Sequence, residues 1–133
     1  MDPLFLELDE ILEIHQDQIL RHGGSPGIRD MNLLQSAISM PGSGFSGQYF
    51  HKDIFEMAAA YLFHIAQNHP FVDGNKRVAA MSAFTFLSMN GIRLTASEHG
   101  FEALVLSAAQ GKADKRTIAE FFRRHSAKIH RRP

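Results

Sequence analysis

Between Val78 and Met89 the only polar residues are Ser82, Thr85 and Ser88, and all three are small. A helix over residues 76–90 would present apolar surface on nearly every side. Such a helix is stable in water only when other elements cover it all round. The segment therefore predicts the buried central rod of a helical bundle and leaves little room for a sheet-based fold. Gly91 is placed to cap it.

The remaining punctuation agrees with an all-α architecture of about six helices. Asp9 is a candidate cap for a first helix carrying Ile11, Leu12, Ile19 and Leu20 around a polar middle, and Gly23-Gly24 ends it. Asp30 caps a short second helix that Pro41 stops. A third helix spans about 52–68 and is apolar on most faces in its C-terminal half. Ile92 to Thr95 reads as a brief extended segment. Ser97 and Asp114 cap a fifth and a sixth helix, with Phe101, Leu104, Val105 and Ala108 facing inward in one and Ile118, Phe121 and Phe122 in the other. Residues 41–50, with three glycines and Phe45, Tyr49 and Phe50, read as a loop or short hairpin whose aromatics are expected to be covered. Short connections between such helices give a bundle, and 133 residues suit one domain over 1–133.

Acidic and basic side chains balance at fourteen each, so no overall field draws the chain to nucleic acid or anionic lipid. The cations are uneven, however. Arg123, Arg124, Lys128, Arg131 and Arg132 crowd a basic tail over about 123–133, read as a solvated helix face with a frayed end, or as a dock for an acidic partner. The chain has no cysteine, which excludes disulfides and thiolate chemistry. No signal peptide and no membrane span are expected, and the cytoplasm is the expected compartment.

Chemistry concentrates just before the rod, in His69-Pro70-Phe71-Val72-Asp73-Gly74-Asn75-Lys76-Arg77. The free N–H groups at the start of the rod and its positive dipole end form an anion site without any special side chain. Gly74 permits a turn and close approach of a phosphate. Lys76 and Arg77 in the first turn have the wrong sign for the dipole, at a cost of roughly 0.3–1 kcal/mol each unless an anion is present. They read equally as anion ligands or as an outward helix face. Asp73 is a cap or an oxygen ligand for Mg²⁺. Asn75 is a cap or a partner for a phosphate oxygen, and Phe71 is an anchor for the loop. Pro70 restricts the residue before it to extended geometry and ends the third helix near Asn68 or His69. His69 is either a helix-end hydrogen-bonder or a base able to accept a hydroxyl proton near neutral pH. The other seven histidines carry no helical pair at metal-binding spacing, and His64 reads as a satisfied core residue.

These nine residues resemble the signature of the Fic superfamily, His-Pro-Phe-x-(Asp/Glu)-Gly-Asn-x-Arg. Gly23 to Asp30, Leu33 to Ala37, Asp53 to Glu56 and Asn90-Gly91 extend the similarity to the death-on-curing (Doc) toxin branch, over about residues 8–122. The resemblance implies His69 as general base, Phe71 as loop anchor and Asp73 as the Mg²⁺ ligand. Gly74, Asn75, Lys76 and Arg77 would form the cradle for the nucleotide phosphates. The segment around Gly44, Phe45, Ser46 and Gly47 falls where the family has a flap that positions its target.

Nucleotidyl-transferring members read Gly-Asn-Gly-Arg-x-x-Arg. Here the second glycine is Lys76 and the second arginine position is Ala80, as in the Doc branch. The resemblance thus implies an ATP- and Mg²⁺-dependent kinase toxin that presents the γ-phosphate to His69 and modifies a protein hydroxyl, by analogy on elongation factor Tu, to arrest translation. Adenylylation and a non-catalytic nucleotide- or partner-binding module are the alternatives. A DNA-binding regulator is disfavoured by the zero net charge. No Ser or Thr is followed four residues on by Glu, so the inhibitory helix of many Fic proteins is missing from the pattern. Restraint by a separate antitoxin is expected instead.

Overall fold

Four of the helix starts follow from one rule: a short oxygen-bearing side chain placed to accept a free backbone N–H of the first turn. In the computed structural model, which describes residues 2–129, Asp30 accepts Leu33 N–H at 3.0 Å and Asp53 accepts Glu56 N–H at 2.8 Å. Ser97 accepts Gly100 N–H at 3.0 Å and Asp114 accepts Thr117 N–H at 2.8 Å. They open α2 (Met31–Ser39), α3 (Ile54–Asn68), α5 (Glu98–Ala109) and α6 (Lys115–Arg124). The first helix, α1 (Leu8–His22), departs from expectation. Its cap is Glu7, and Asp9 lies inside the first turn. The Glu10 carboxylate closes back on Glu7 N–H at 3.0 Å, which satisfies that donor without Asp9.

The motif helix α4 (Asn75–Met89) starts one residue earlier than its apolar pattern suggests. It lies against α3, α1 and α5, and α3 in turn packs on α2, α5 and α6. One apolar cluster runs through these helices, with Tyr61, Phe71, Phe86, Phe122 and Ile11 among its largest fully enclosed side chains. Val78, Ala79, Ser82, Ala83, Phe86 and Leu87 give α4 its buried face. The cover is not complete, which corrects the expectation of burial all round. Phe84 is 42% exposed, and Ala80 and Met81 beside it are only half-buried. The uncovered stripe floors a groove of about 670 Å³ between α4 and α5. Apolarity in every direction signals burial only on average, and one stripe of small or flexible side chains is left open here.

Two small antiparallel ribbons complete the fold. Gly44–Phe45 (β1) pairs with Gln48–Tyr49 (β2) across Ser46 and Gly47, which both have positive φ as a two-residue hairpin turn demands. The hairpin aromatics are not covered as expected: Phe45 is 77% exposed and Phe50 64%. Among the described residues only Tyr49 of the three makes an aromatic contact, edge-on to Phe5 with ring centroids 5.7 Å apart. The second ribbon pairs Ile92–Leu94 (β3) with Ser126–Lys128 (β4). Lys128 therefore sits in a strand rather than in a frayed end, while Arg131 and Arg132 lie outside the described residues. Arg123 is tied down as well, 2.9 Å from Asp53 and 3.3 Å from Glu56. Among the described residues no helix is long and apolar enough to cross a membrane.

His64 on α3 is half-buried, and its Nε2 faces the Lys115 ammonium at 3.2 Å; His51 Nε2 faces the same ammonium at 3.4 Å. Burial, then Lys115, then His51 hold the His64 imidazole down to about 4, against an ordinary 6.5. The unfolded chain therefore binds this proton first as pH falls. Stability should be intact above about pH 6.5 and drain away between 6.5 and 4. The full shift would correspond to about 3 kcal/mol, and because the ring is only half-buried solvent screening cuts the expected loss to on the order of 2 kcal/mol. Urea unfolding across that range should show the slope, and a folded His64→Gln variant should reduce it, the remainder coming from His51, which burial and Lys115 also hold down.

Candidate active site

The site is built where two loops lie side by side. Arg29 N–H and Asp30 N–H donate to Pro70 O at 2.7 and 3.0 Å, and Val72 N–H donates to Gly27 O at 3.1 Å. These bonds pin the segment between α1 and α2 along the motif loop. Its anchor is Phe71, fully enclosed. The Phe71 ring stacks on the His15 imidazole, with centroids 4.0 Å apart and planes 10° apart. Asn75 then closes a clasp over it: Oδ1 accepts Phe71 N–H and Nδ2 donates to Phe71 O, both at 2.9 Å. The Asn75 side chain is buried and committed to the loop, so what it offers an anion is its backbone N–H.

His69 ends α3 in the left-handed conformation, φ 51° and ψ 53°, its own N–H donating to Ile65 O at 3.2 Å. This corrects the expectation that Pro70 would force extended geometry. The scaffold overrides the preference: Arg29 Nε donates to His69 O at 2.7 Å and its Nη2 to Asn68 O at 2.9 Å. Histidine tolerates this region better than most residues, but the conformation still costs about 1–3 kcal/mol. The His69 side chain is exposed at the mouth of the site.

Asp73 turns its carboxylate onto the facing loop. Oδ2 accepts Ser25 N–H at 3.1 Å and Oδ1 accepts Gly74 N–H at 2.9 Å. These two bonds, with lesser help from Arg77 and His15, hold its carboxyl below the usual range. Asp73 does not cap α4; Gly74 does, at φ 81°, which a side chain would resist. Gly24 is just as constrained, since a Cβ there would stand 2.8 Å from Asp73 Oδ2. Val78 N–H makes the first helical bond of α4, to Gly74 O at 3.0 Å. The N–H groups of Asn75, Lys76 and Arg77 precede that bond and are the free donors of the helix start. Lys76 and Arg77 are exposed beside them, and Arg77 Nη1 reaches Gly23 O at 3.3 Å.

His69, Asp73, Gly74, Asn75, Lys76 and Arg77 thus line one cavity of about 510 Å³, with His22, Gly23 and Gly24 on the opposite wall. The hairpin residues Gly44, Phe45, Ser46 and Gly47 do not line it. The residues fit a nucleotide with Mg²⁺. Each Asp73 oxygen accepts a single N–H and keeps a lone pair for a cation. Among the described residues no cluster of three or more His, Asp or Glu could cage a metal. A metal here would share Asp73 with phosphate oxygens, the arrangement Mg²⁺ favours.

The Fic/DOC family model matches residues 5–87, well over half of the chain. The chain belongs to the Fic/Doc family. Among curated relatives it is 33% identical over 116 residues to the protein kinase doc of Escherichia phage P1, covering 87% of this chain and 90% of that one. It is 42% identical over 74 residues to Toxin Doc of Mycolicibacterium smegmatis, where the match spans 56% of this chain and 57% of the relative. The family match takes in α1 and the Gly23–Asp30 segment as well as the motif, the same pieces that wall the cavity.

The sequence reading missed His15 and Arg29. His15 carried a signal: with Ile11 and Gln18 it falls at the i, i+4, i+7 spacing of one buried helix face. Arg29 carried none beyond its place in the loop, because its partners are carbonyls. Truncating Phe71 to Ala should cost about 3–5 kcal/mol, read by urea unfolding. Asn75→Ala, which orphans two enclosed backbone groups, should cost about 1–3 kcal/mol.

Proposed function

We propose that this Fic/Doc protein is a toxin that transfers the γ-phosphate of ATP to a hydroxyl of a target protein. The observation that carries the reading is a single cavity holding an exposed imidazole, one carboxylate and a helix start with its N–H groups free and two cations beside them. Phosphoryl transfer asks little covalent chemistry of a protein; it asks for position and for stabilisation of spread negative charge. The acceptor O–H gives its proton to the His69 imidazole as its oxygen bonds to the γ-phosphorus. The bond from that phosphorus to the β–γ bridging oxygen breaks, and ADP leaves. The N–H groups of Asn75 to Arg77, with Lys76 and Arg77, oppose the charge carried by the phosphoryl oxygens. Bound at Asp73, Mg²⁺ would neutralise phosphate charge and fix the nucleotide's orientation.

Transfer of the γ- rather than the α-phosphate is favoured by Lys76 and Ala80, which replace the glycine and arginine of the adenylylating pattern. The relative described as a protein kinase supports the same choice. The toxin role is supported by the relative described as Toxin Doc. Elongation factor Tu as target, with arrest of translation in the cytoplasm, is the reading by analogy. An antitoxin held in trans would restrain the enzyme. The half-open groove carrying Phe84 and Leu106 shares Lys76 and Arg77 with the cavity, and suits an apolar segment of that partner. The exposed hairpin, with Phe45 at its tip, would hold the target.

Purified protein incubated with elongation factor Tu and ATP labelled in either the α or the γ position tests the reading. Label should transfer from γ-labelled ATP only, and a folded His69→Ala variant should lose about 10²–10⁴-fold in rate. Transfer of the α label would move the assignment to adenylylation. Nucleotide binding without transfer, indifferent to His69→Ala, would leave a binding module.

A further inference from the structure

His15 is the one titratable residue of α1 buried against the motif loop, only 6% exposed, and the proton-transfer scheme does not use it. Its ring lies flat on Phe71, which a phenyl ring or a leucine could do as well. Its Nε2 lies 3.0 Å from the backbone oxygen of Asp73. A carbonyl only accepts, so Nε2 carries the hydrogen. That oxygen belongs to the peptide plane whose N–H, on Gly74, donates to Asp73 Oδ1 at 2.9 Å. The six atoms of a peptide unit move together. The plane that leads into α4 is therefore gripped at its oxygen by His15 and at its nitrogen by the carboxylate that faces the cavity. Gly74 itself lies close to the Cδ2–Nε2 edge of the ring: a Cβ there would stand 3.8 Å from Cδ2. Burying an imidazole for packing alone would cost free energy that an apolar side chain avoids.

We infer that His15 is a positioning residue for nucleotide with Mg²⁺: by holding the Asp73 carbonyl it sets the orientation of the Asp73 carboxylate and of the first free N–H groups of α4. The inference rests on the reading of Asp73 as the Mg²⁺-facing carboxylate. It adds a residue from a different helix, outside the motif. His15 does not line the cavity and acts through the Asp73–Gly74 peptide. Groups that support metal ligands in this way change metal affinity by about 10–100-fold when lost.

The test is binding of a non-hydrolysable ATP analogue, by calorimetry, with and without Mg²⁺. His15→Phe keeps the stack and removes the donor, and His15→Met is the donor-less alternative should the Phe variant not fold. His15→Gln retains an N–H donor. The donor-less variants should bind the Mg²⁺-loaded analogue about 10-fold more weakly, with a much smaller change in the absence of Mg²⁺, and His15→Gln should recover most of the loss. Wild-type affinity in His15→Phe or His15→Met would overturn the inference, as would a His15→Gln defect equal to theirs. Transfer that fails in the wild-type protein while this binding pattern holds would overturn the kinase reading and leave His15 in its role. No Mg²⁺-dependent binding by the wild-type protein would overturn both.

Discussion

Burial of the Phe71 ring is the constraint on which the rest of the site depends. The connection between α3 and α4 is only a few residues long, and its polar groups have to face water. One fully enclosed side chain in its middle turns that connection into a fixed object. The Asn75 clasp closes the backbone on either side of the ring, and His15 covers its face. With Phe71 seated, the end of α3 and the start of α4 cannot drift apart, so His69 and the free N–H groups of α4 share one cavity. Side chains behind the cavity thereby set where the groups lining it stand.

The site also collects features that are unfavourable without a ligand. Lys76 and Arg77 oppose the α4 dipole, His69 holds a left-handed backbone ahead of a proline, and helix N–H groups face a cavity. Each costs free energy, and the buried cluster around Tyr61, Phe86 and Phe122 offsets them. Strain of this kind gathers at functional sites because a rigid surround can impose it. Arg29 is the clearest instance: it reaches across from the facing loop to hold the two carbonyls that end α3. A bound anion would relieve the charge part of this cost.

Much of the fold was legible in the sequence because helix caps are local. Asp30, Ser97 and Asp114 each act on an N–H only a few residues away, and each opens the helix expected of it; Asp53 caps α3 in the same way, just inside the start expected near residue 52. What the sequence concealed depends on groups distant along the chain. The Ser126–Lys128 strand exists because Ile92–Leu94 lies beside it, and nothing near residue 126 announces that pairing. His69 escapes the preference set by Pro70 because Arg29 arrives from another loop. The open stripe on α4 was hidden by its own apolarity, which a burial argument reads as covered. The hairpin aromatics misled for a related reason: Phe45 and Phe50 are exposed, and hydrophobic side chains alone do not say whether they cover a core or wait for a partner. The Asn75 clasp was hidden because capping, clasping and anion binding all use the same amide.

The central claim is that a clasped Phe71 places His69 opposite a phosphate held by the start of α4. A crystal structure of the His69→Ala protein with Mg²⁺ and a non-hydrolysable ATP analogue tests it most directly. The account predicts phosphate oxygens on the N–H groups of Asn75, Lys76 and Arg77, the cation against Asp73, and the γ-phosphate nearest the missing imidazole. An α-phosphate in that position, or a nucleotide seated away from the Asp73–Arg77 turn, would contradict it.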